Sequence, residues 1–178
     1  MAKTISFNLS EDSISQAITE LKQYKSDIAK KTLLYQQKVA ERLKDYVTAG
    51  FLGATSDSYT VYVGETGISR TEHGVVSVSV THSGNLSIVA ALGADAVWIE
   101  FGTGVTNNPS PHPDSSLTTP TMAIGSYGKG NGNKKQWGFI DENGQLCISK
   151  GVQMSMPMAN AMTMIYSDLS SIAREVFG

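Results

Sequence analysis

The spacing of apolar side chains changes twice along this chain, and these changes limit the folds it can adopt. Apolar residues recur at helical intervals over residues 10–50, alternate with polar ones over 59–92, and return to helical spacing after residue 156. Helices at both ends with strands between them are typical of an α+β domain. Because 178 residues is the length of one domain, we predict a single domain, 1–178.

The N-terminal segment predicts two helices. Ser10 or Asp12 can cap the first helix, since their side-chain oxygens accept from backbone amides of the first turn. Ser26 and Asp27 offer a second capping site where the apolar pattern slips. We therefore predict a break there, followed by a longer second helix that ends at Gly50 as a C-terminal glycine.

Strands follow the helices. Three segments are rich in Val, Ile, Thr and Tyr and alternate in polarity, as half-buried strands do: 59–65, 75–82 and 85–92. Residues 83–85, Ser-Gly-Asn, predict a tight turn between the last two. The valines of the second segment share one face, which helices can cover. We predict N-terminal helices and a C-terminal helix packed on one face of a mainly antiparallel sheet.

The segment AVWIEFGTG, residues 96–104, is interpreted as a further strand that ends in a glycine turn. Its one acid, Glu100, would lie among apolar residues, where a carboxylate needs hydrogen-bond donors. The backbone amides of residues 102–104 are the nearest candidates. We expect a structural hydrogen-bonding role for Glu100, and the alternative is an ion pair with a neighbouring subunit.

A polar insertion separates this segment from the C-terminal part of the chain. Residues 103–135 contain four of the five prolines and are otherwise mostly Gly, Asn, Ser and Thr, a composition that forms no core of its own. We predict an extended loop, or arm, within the domain. The segments WGFID and QLCIS then predict a hairpin, and a closing helix follows with Pro157 in its first turn.

Charge and cysteine content restrict the partners and the compartment. A net charge of -2 and a pI near 5.9 give no bulk attraction to nucleic acid or anionic lipid. The single cysteine, Cys147, has no internal disulfide partner, and no segment reaches the roughly 18 apolar residues of a membrane span. We expect a soluble protein made in a reducing cytoplasm, with no membrane partner.

Few residues suggest catalysis. His73, His82 and His112 do not have the spacing of metal ligands, so we expect no enzyme activity, no metal and no cofactor. One alternative is a metal-dependent hydrolase that uses His73, His82 and Glu100. Another is a DNA-binding module whose contacts are the lysines of the segment KGNGNKK: Lys129, Lys134 and Lys135.

The order of these segments resembles a family of small structural proteins at the head-tail junction of long-tailed bacteriophages. Members of this family are described as neck, tail-component or tail-completion proteins and are typified by the tenth gene product of a lambda-like coliphage. The likeness rests on an aromatic-Ile-Glu-aromatic-Gly-Thr segment and on a Lys-Gly segment that leads to a Pro and the last helix. These correspond to Trp98, Ile99, Glu100, Phe101, Gly102 and Thr103, and to Lys150, Gly151, Pro157 and Met158.

The resemblance implies a non-enzymatic virion protein that is similar in fold to tail terminators. It implies a homo-oligomeric ring, with a hexamer as the expected stoichiometry, around the axis through which DNA passes from the head into the tail. Neighbouring connector, head-closure and tail proteins are the expected partners, with non-specific contact to DNA in the channel. The arm would reach a neighbouring subunit, and the segment around Glu100 would position its root. A tail terminator that caps the tail tube is the alternative within the same architecture.

Overall fold

The chain forms three helices and six strands in the computed structural model, which describes residues 4–54, 58–63, 66–71, 75–93, 95–102, 136–149 and 154–178. Their order is α1 (Glu11–Gly53), β1 (Ser58–Val63), β2 (Thr66–Thr71), β3 (Ser77–Ser83), β4 (Leu86–Leu92), α2 (Ala96–Phe101), β5 (Trp137–Ile140), β6 (Leu146–Ser149) and α3 (Pro157–Phe177). The predicted α+β class is confirmed. The predicted arm, 103–135, lies outside the described residues.

One continuous helix, α1, replaces the two predicted helices. The Ser10 side chain accepts a hydrogen bond from the Ser13 amide at 3.4 Å, which confirms the predicted start. The predicted break at Ser26 and Asp27 is wrong. No Gly or Pro interrupts residues 11–49, and Gln23 Nε2 donates to Asp27 Oδ1 at 2.8 Å, so the Asp27 carboxylate is held within the helix surface.

The end of α1 also differs from the prediction. The helix passes through Gly50 and ends at Gly53. A Cβ atom at Gly50 would lie 2.8 Å from the Pro157 Cβ, so this glycine allows the start of α3 to approach α1 closely. Gly50 therefore allows α1 and α3 to pack closely, and it is not the residue at which α1 ends.

The strands form two antiparallel sheets. One has the order β2-β1-β6-β5, and the other is the β3–β4 hairpin. The predicted turn of this hairpin is confirmed, with Gly84 at φ 55°, as its first central position requires in a type II′ turn. The predicted hairpin of β5 and β6 is confirmed too, with Phe139 opposite Cys147. Strand β2 was not predicted from the sequence.

The helices pack on one face of the β3–β4 hairpin. Its inward side chains alternate with exposed Ser77 and Ser79, as predicted, and pack on a core shared by all three helices. Helix α3 lies antiparallel to α1, with Pro157 near Gly50 and the Phe177 ring 6.0 Å from the Tyr35 ring. The buried core residues are Val47 and Phe51 of α1, Ala96 and Ile99 of α2, and Ala161 of α3.

We find no candidate for a membrane-spanning helix in the part of the chain that the structure describes. None of its helices has both the length and the apolar character of a membrane span.

Candidate functional site

The segment that carries the resemblance is a short helix, α2, and the prediction of a strand there is wrong. A short apolar run has no period that distinguishes the two, and here Ala96 and Ile99 turn one helical face into the core. Gly102 ends the helix: its amide donates to the Trp98 carbonyl at 2.7 Å and its φ is 66°. Ala96 and Ile99 pack in the core with Val47 and Phe51 of α1.

Glu100 is buried and caps the N-terminus of α3. The residue is 6% exposed, and its carboxylate accepts hydrogen bonds from the Met158 amide at 2.7 Å and the Ala159 amide at 3.1 Å. Pro157 has no amide hydrogen, so these are the first donors of the helix. The positive end of the helix dipole also favours a carboxylate at this place. The hydrogen-bonding role expected of Glu100 is confirmed, with donors from α3 in place of the predicted amides of 102–104.

A backbone contact strengthens this junction. The Ser155 amide donates to the Ile99 carbonyl at 2.9 Å, which joins the chain before α3 to α2. Met156, with φ 51°, turns the chain into α3. A Cβ atom at Gly102 would lie 2.8 Å from both the Cβ and the backbone nitrogen of Met154. We call residues 99–102 and 154–159 the α2–α3 junction.

The structure brings four of the predicted interaction residues to this junction: Glu100, Gly102, Pro157 and Met158. Phe101 also belongs to the junction and is half-buried, whereas Trp98, one residue before it begins, is half-buried on α2 and packs against the core. The remaining predicted residues lie outside the described part of the chain: Thr103, Lys129, Lys134, Lys135 and Gly151.

Sequence reasoning missed the other half of the junction. Met154, Ser155 and Gly50 each make a close contact there. One signal was available: Pro157 begins a helix, yet the residue before it is Met156 and not one of the usual capping residues. A helix start without a local cap indicates that a distant acceptor satisfies its amides.

A second polar cluster links α1 to α3. The Tyr46 hydroxyl donates to Asp168 Oδ2 at 2.5 Å, and Arg42 Nε lies 3.9 Å from the same oxygen. The hydrogen bond to Asp168 raises the pKa of Tyr46 above its usual value, with burial as a further cause. This cluster ties the two helices together on the surface.

The residues of the hydrolase alternative have other contacts where the structure describes them. His82 lies with Nδ1 2.8 Å from the Ser87 hydroxyl and Nε2 3.6 Å from Glu41, and Glu100 caps α3. His73 lies outside the described residues. Within the described ranges, no three His, Cys, Asp or Glu side chains cluster as metal ligands.

Comparison with known proteins finds no family model, no curated protein and no solved structure that matches this chain.

Proposed function

We propose that this chain is a structural subunit of the neck or tail-completion region of a long-tailed phage. In this role it assembles into a ring around the DNA channel at the head-tail junction. The proposal begins from the resemblance of residues 98–103 and 150–158 to two short segments of such proteins.

The observation that supports the proposal best is that these two segments, far apart in the sequence, meet at one junction. The Glu100 carboxylate binds the Met158 and Ala159 amides, and the Ile99 carbonyl binds the Ser155 amide. If the two segments resembled the family only by chance, there would be no reason to expect them to pack against each other. Their contact is what we expect of two segments that serve one structural purpose.

The junction also gives the proposed arm a fixed root. Gly102, the last described residue before 103–135, is buried against Met154. A ring of identical subunits needs heterologous contacts that close on themselves, and an arm that reaches from one subunit to the next supplies such a contact. Lys129, Lys134 and Lys135 of this arm are the proposed contacts to DNA in the channel.

An early stop codon in this gene, in a phage that carries it, tests the proposal by electron microscopy of lysates. Separate heads and normal-length tails are expected, because the ring joins the two. Tails that are overlong or absent would shift the assignment to a tail terminator. Normal infectious particles would contradict a structural role at either place.

Complementation of the same phage from a plasmid relates the phenotype to the junction. The wild-type gene is expected to restore infectious particles, and Glu100→Gln to restore fewer. Glu175→Gln is the matched control, since its side chain is 62% exposed and pairs with Lys38 on the surface. Equal rescue by both variants would show that assembly of infectious particles does not depend on the Glu100 contacts at the α2–α3 junction.

A further inference from the structure

The face of α1 that contacts α3 continues along the helix beyond the end of α3. Tyr35 packs on Phe177, Lys38 pairs with Glu175, and Arg42 lies near Asp168. Positions 35, 38 and 42 follow the alternating three- and four-residue steps of a helix-packing seam. Counting back in sevens from Tyr35 along the same seam gives three large apolar residues: Ile28, Leu21 and Ile14. The drift of about 20° per heptad leaves them on the same side of the helix.

This extension is long and apolar. Helix α3 ends opposite Tyr35, so residues 11–34 run on for about 36 Å at the usual rise per residue. Seven of their large apolar side chains are 37% to 55% exposed. We call the five nearest the start of the helix the α1 seam: Ile14, Ile18, Leu21, Tyr24 and Ile28. Large exposed apolar side chains aligned along one side of a helix mark a protein interface, and Ala17 among them is buried.

The charges of the same segment identify the partner and its direction. Residues 11–20 carry three acids and no base, whereas residues 21–31 carry four lysines and one acid. A second copy laid parallel would place acids beside acids and lysines beside lysines. A second copy laid antiparallel places each acidic half beside a basic half, twice in one contact.

Antiparallel docking also fits the rest of the molecule. Residues 11–34 of a second copy laid in this direction run the same way as α3 and continue along the line where α3 stops at Phe177. The folded bodies then lie at opposite ends of the helix pair. The contact is isologous, because the same surface of each copy is used.

We propose that residues 11–34 of two copies of this chain pair antiparallel through the α1 seam. This pairing does not rest on the proposed phage function, since it requires only the free protein. It gives a dimer in solution and covers the apolar seam while the protein is outside any larger assembly.

Sedimentation equilibrium of the purified full chain tests the pairing. The wild type is expected to dimerise, and Leu21→Glu to raise the dissociation constant at least about tenfold. The control is Leu52→Glu, the same change at an 83% exposed residue at the other end of α1, which is expected to leave the constant unchanged. A wild type that is monomeric at about 100 µM, or equal association of Leu21→Glu and wild type, overturns the proposal.

Disulfide trapping tests the direction. Ile14 and Lys31 lie at opposite ends of the seam, so a mixture of Ile14→Cys and Lys31→Cys chains is expected to form a mixed disulfide under mild oxidation. Ile14→Cys alone is expected to remain unlinked. Linkage of Ile14→Cys to itself, without the mixed product, would show a parallel pair and overturn the antiparallel assignment. The wild type, whose only thiol is the buried Cys147, is the control for background linkage.

Discussion

At the level of single residues, the Glu100 side chain connects two helices through its hydrogen bonds. It joins α2 to α3 across 58 residues and satisfies two amides that no neighbouring side chain caps. Replacement by Gln keeps one acceptor but points an amide at the second donor. We expect Glu100→Gln to lower the free energy of unfolding by about 1–3 kcal/mol, the cost of a buried unsatisfied donor.

Urea denaturation followed by circular dichroism measures this loss. Glu175→Gln, on the surface of α3, is expected to change the free energy of unfolding by less than about 1 kcal/mol, because an exposed ion pair contributes no more than that. A Glu100→Gln variant as stable as Glu175→Gln would show that the α3 amides find other acceptors.

Gly102 is expected to resist substitution for two separable reasons. Its backbone, with φ 66° and ψ 173°, lies in a region that is essentially restricted to glycine, and a side chain there costs about 1–3 kcal/mol. A Cβ would also meet Met154 at 2.8 Å, and such overpacking costs about 1–3 kcal/mol. Gly84→Ala carries a backbone cost alone, since Gly84 has φ 55° and nothing within 4 Å of a Cβ there. We expect the urea midpoint of Gly102→Ala to fall below that of Gly84→Ala, and equal midpoints would contradict the close packing.

Tyr46 gives a pH dependence whose sign follows from its raised pKa. The hydrogen bond to Asp168 needs the phenol proton, so the folded state keeps that proton to higher pH than the unfolded state does. The stabilisation is complete below the unfolded pKa near 10 and is lost as the pH rises through the folded pKa. We expect urea midpoints measured at about pH 8 and about pH 11 to differ less in Tyr46→Phe than in the wild type. Equal differences would show that Asp168 does not hold the proton.

At the level of secondary-structure elements, a proline substitution in α1 distinguishes one continuous helix from two separately capped helices. In a continuous helix, Asp27→Pro removes a hydrogen bond and costs about 3 kcal/mol or more. In a second helix capped by Ser26, position 27 would be the first helical residue, where Pro is favoured. We expect Asp27→Pro to lose helical signal in far-UV circular dichroism. Glu11→Pro, at the observed first position of α1, is the control and is expected to retain it. If both variants retained the helical signal, the result would support the predicted break at Ser26 and Asp27.

At the scale of the whole molecule, the strand pairing brings distant parts of the chain together. Strand β1 pairs with β6, so Tyr59 lies opposite Ser149, with the arm 103–135 between them in sequence. If that segment is an arm outside the core, replacing 104–134 by a Gly-Ser linker of about 12 residues is expected to leave the urea midpoint near that of the wild type. Loss of cooperative unfolding would show that the segment contributes to the core. The prediction that residues 103–135 form an arm outside the core would then be wrong.

From the sequence alone we could predict the class of the fold, the β3–β4 and β5–β6 hairpins and the start of α3. Each depends on local chemistry: alternation of side chains, a glycine in a tight turn, a proline without an amide hydrogen. The sequence also indicates that Glu100 needs hydrogen-bond donors, because a buried carboxylate always does. Packing in three dimensions was needed to show that residues 96–101 are helical and that α1 continues past Ser26. It also decided that the donors to Glu100 belong to α3. A short apolar run and a local capping site each permit two conformations, and the choice between them depends on packing partners that are distant in the sequence.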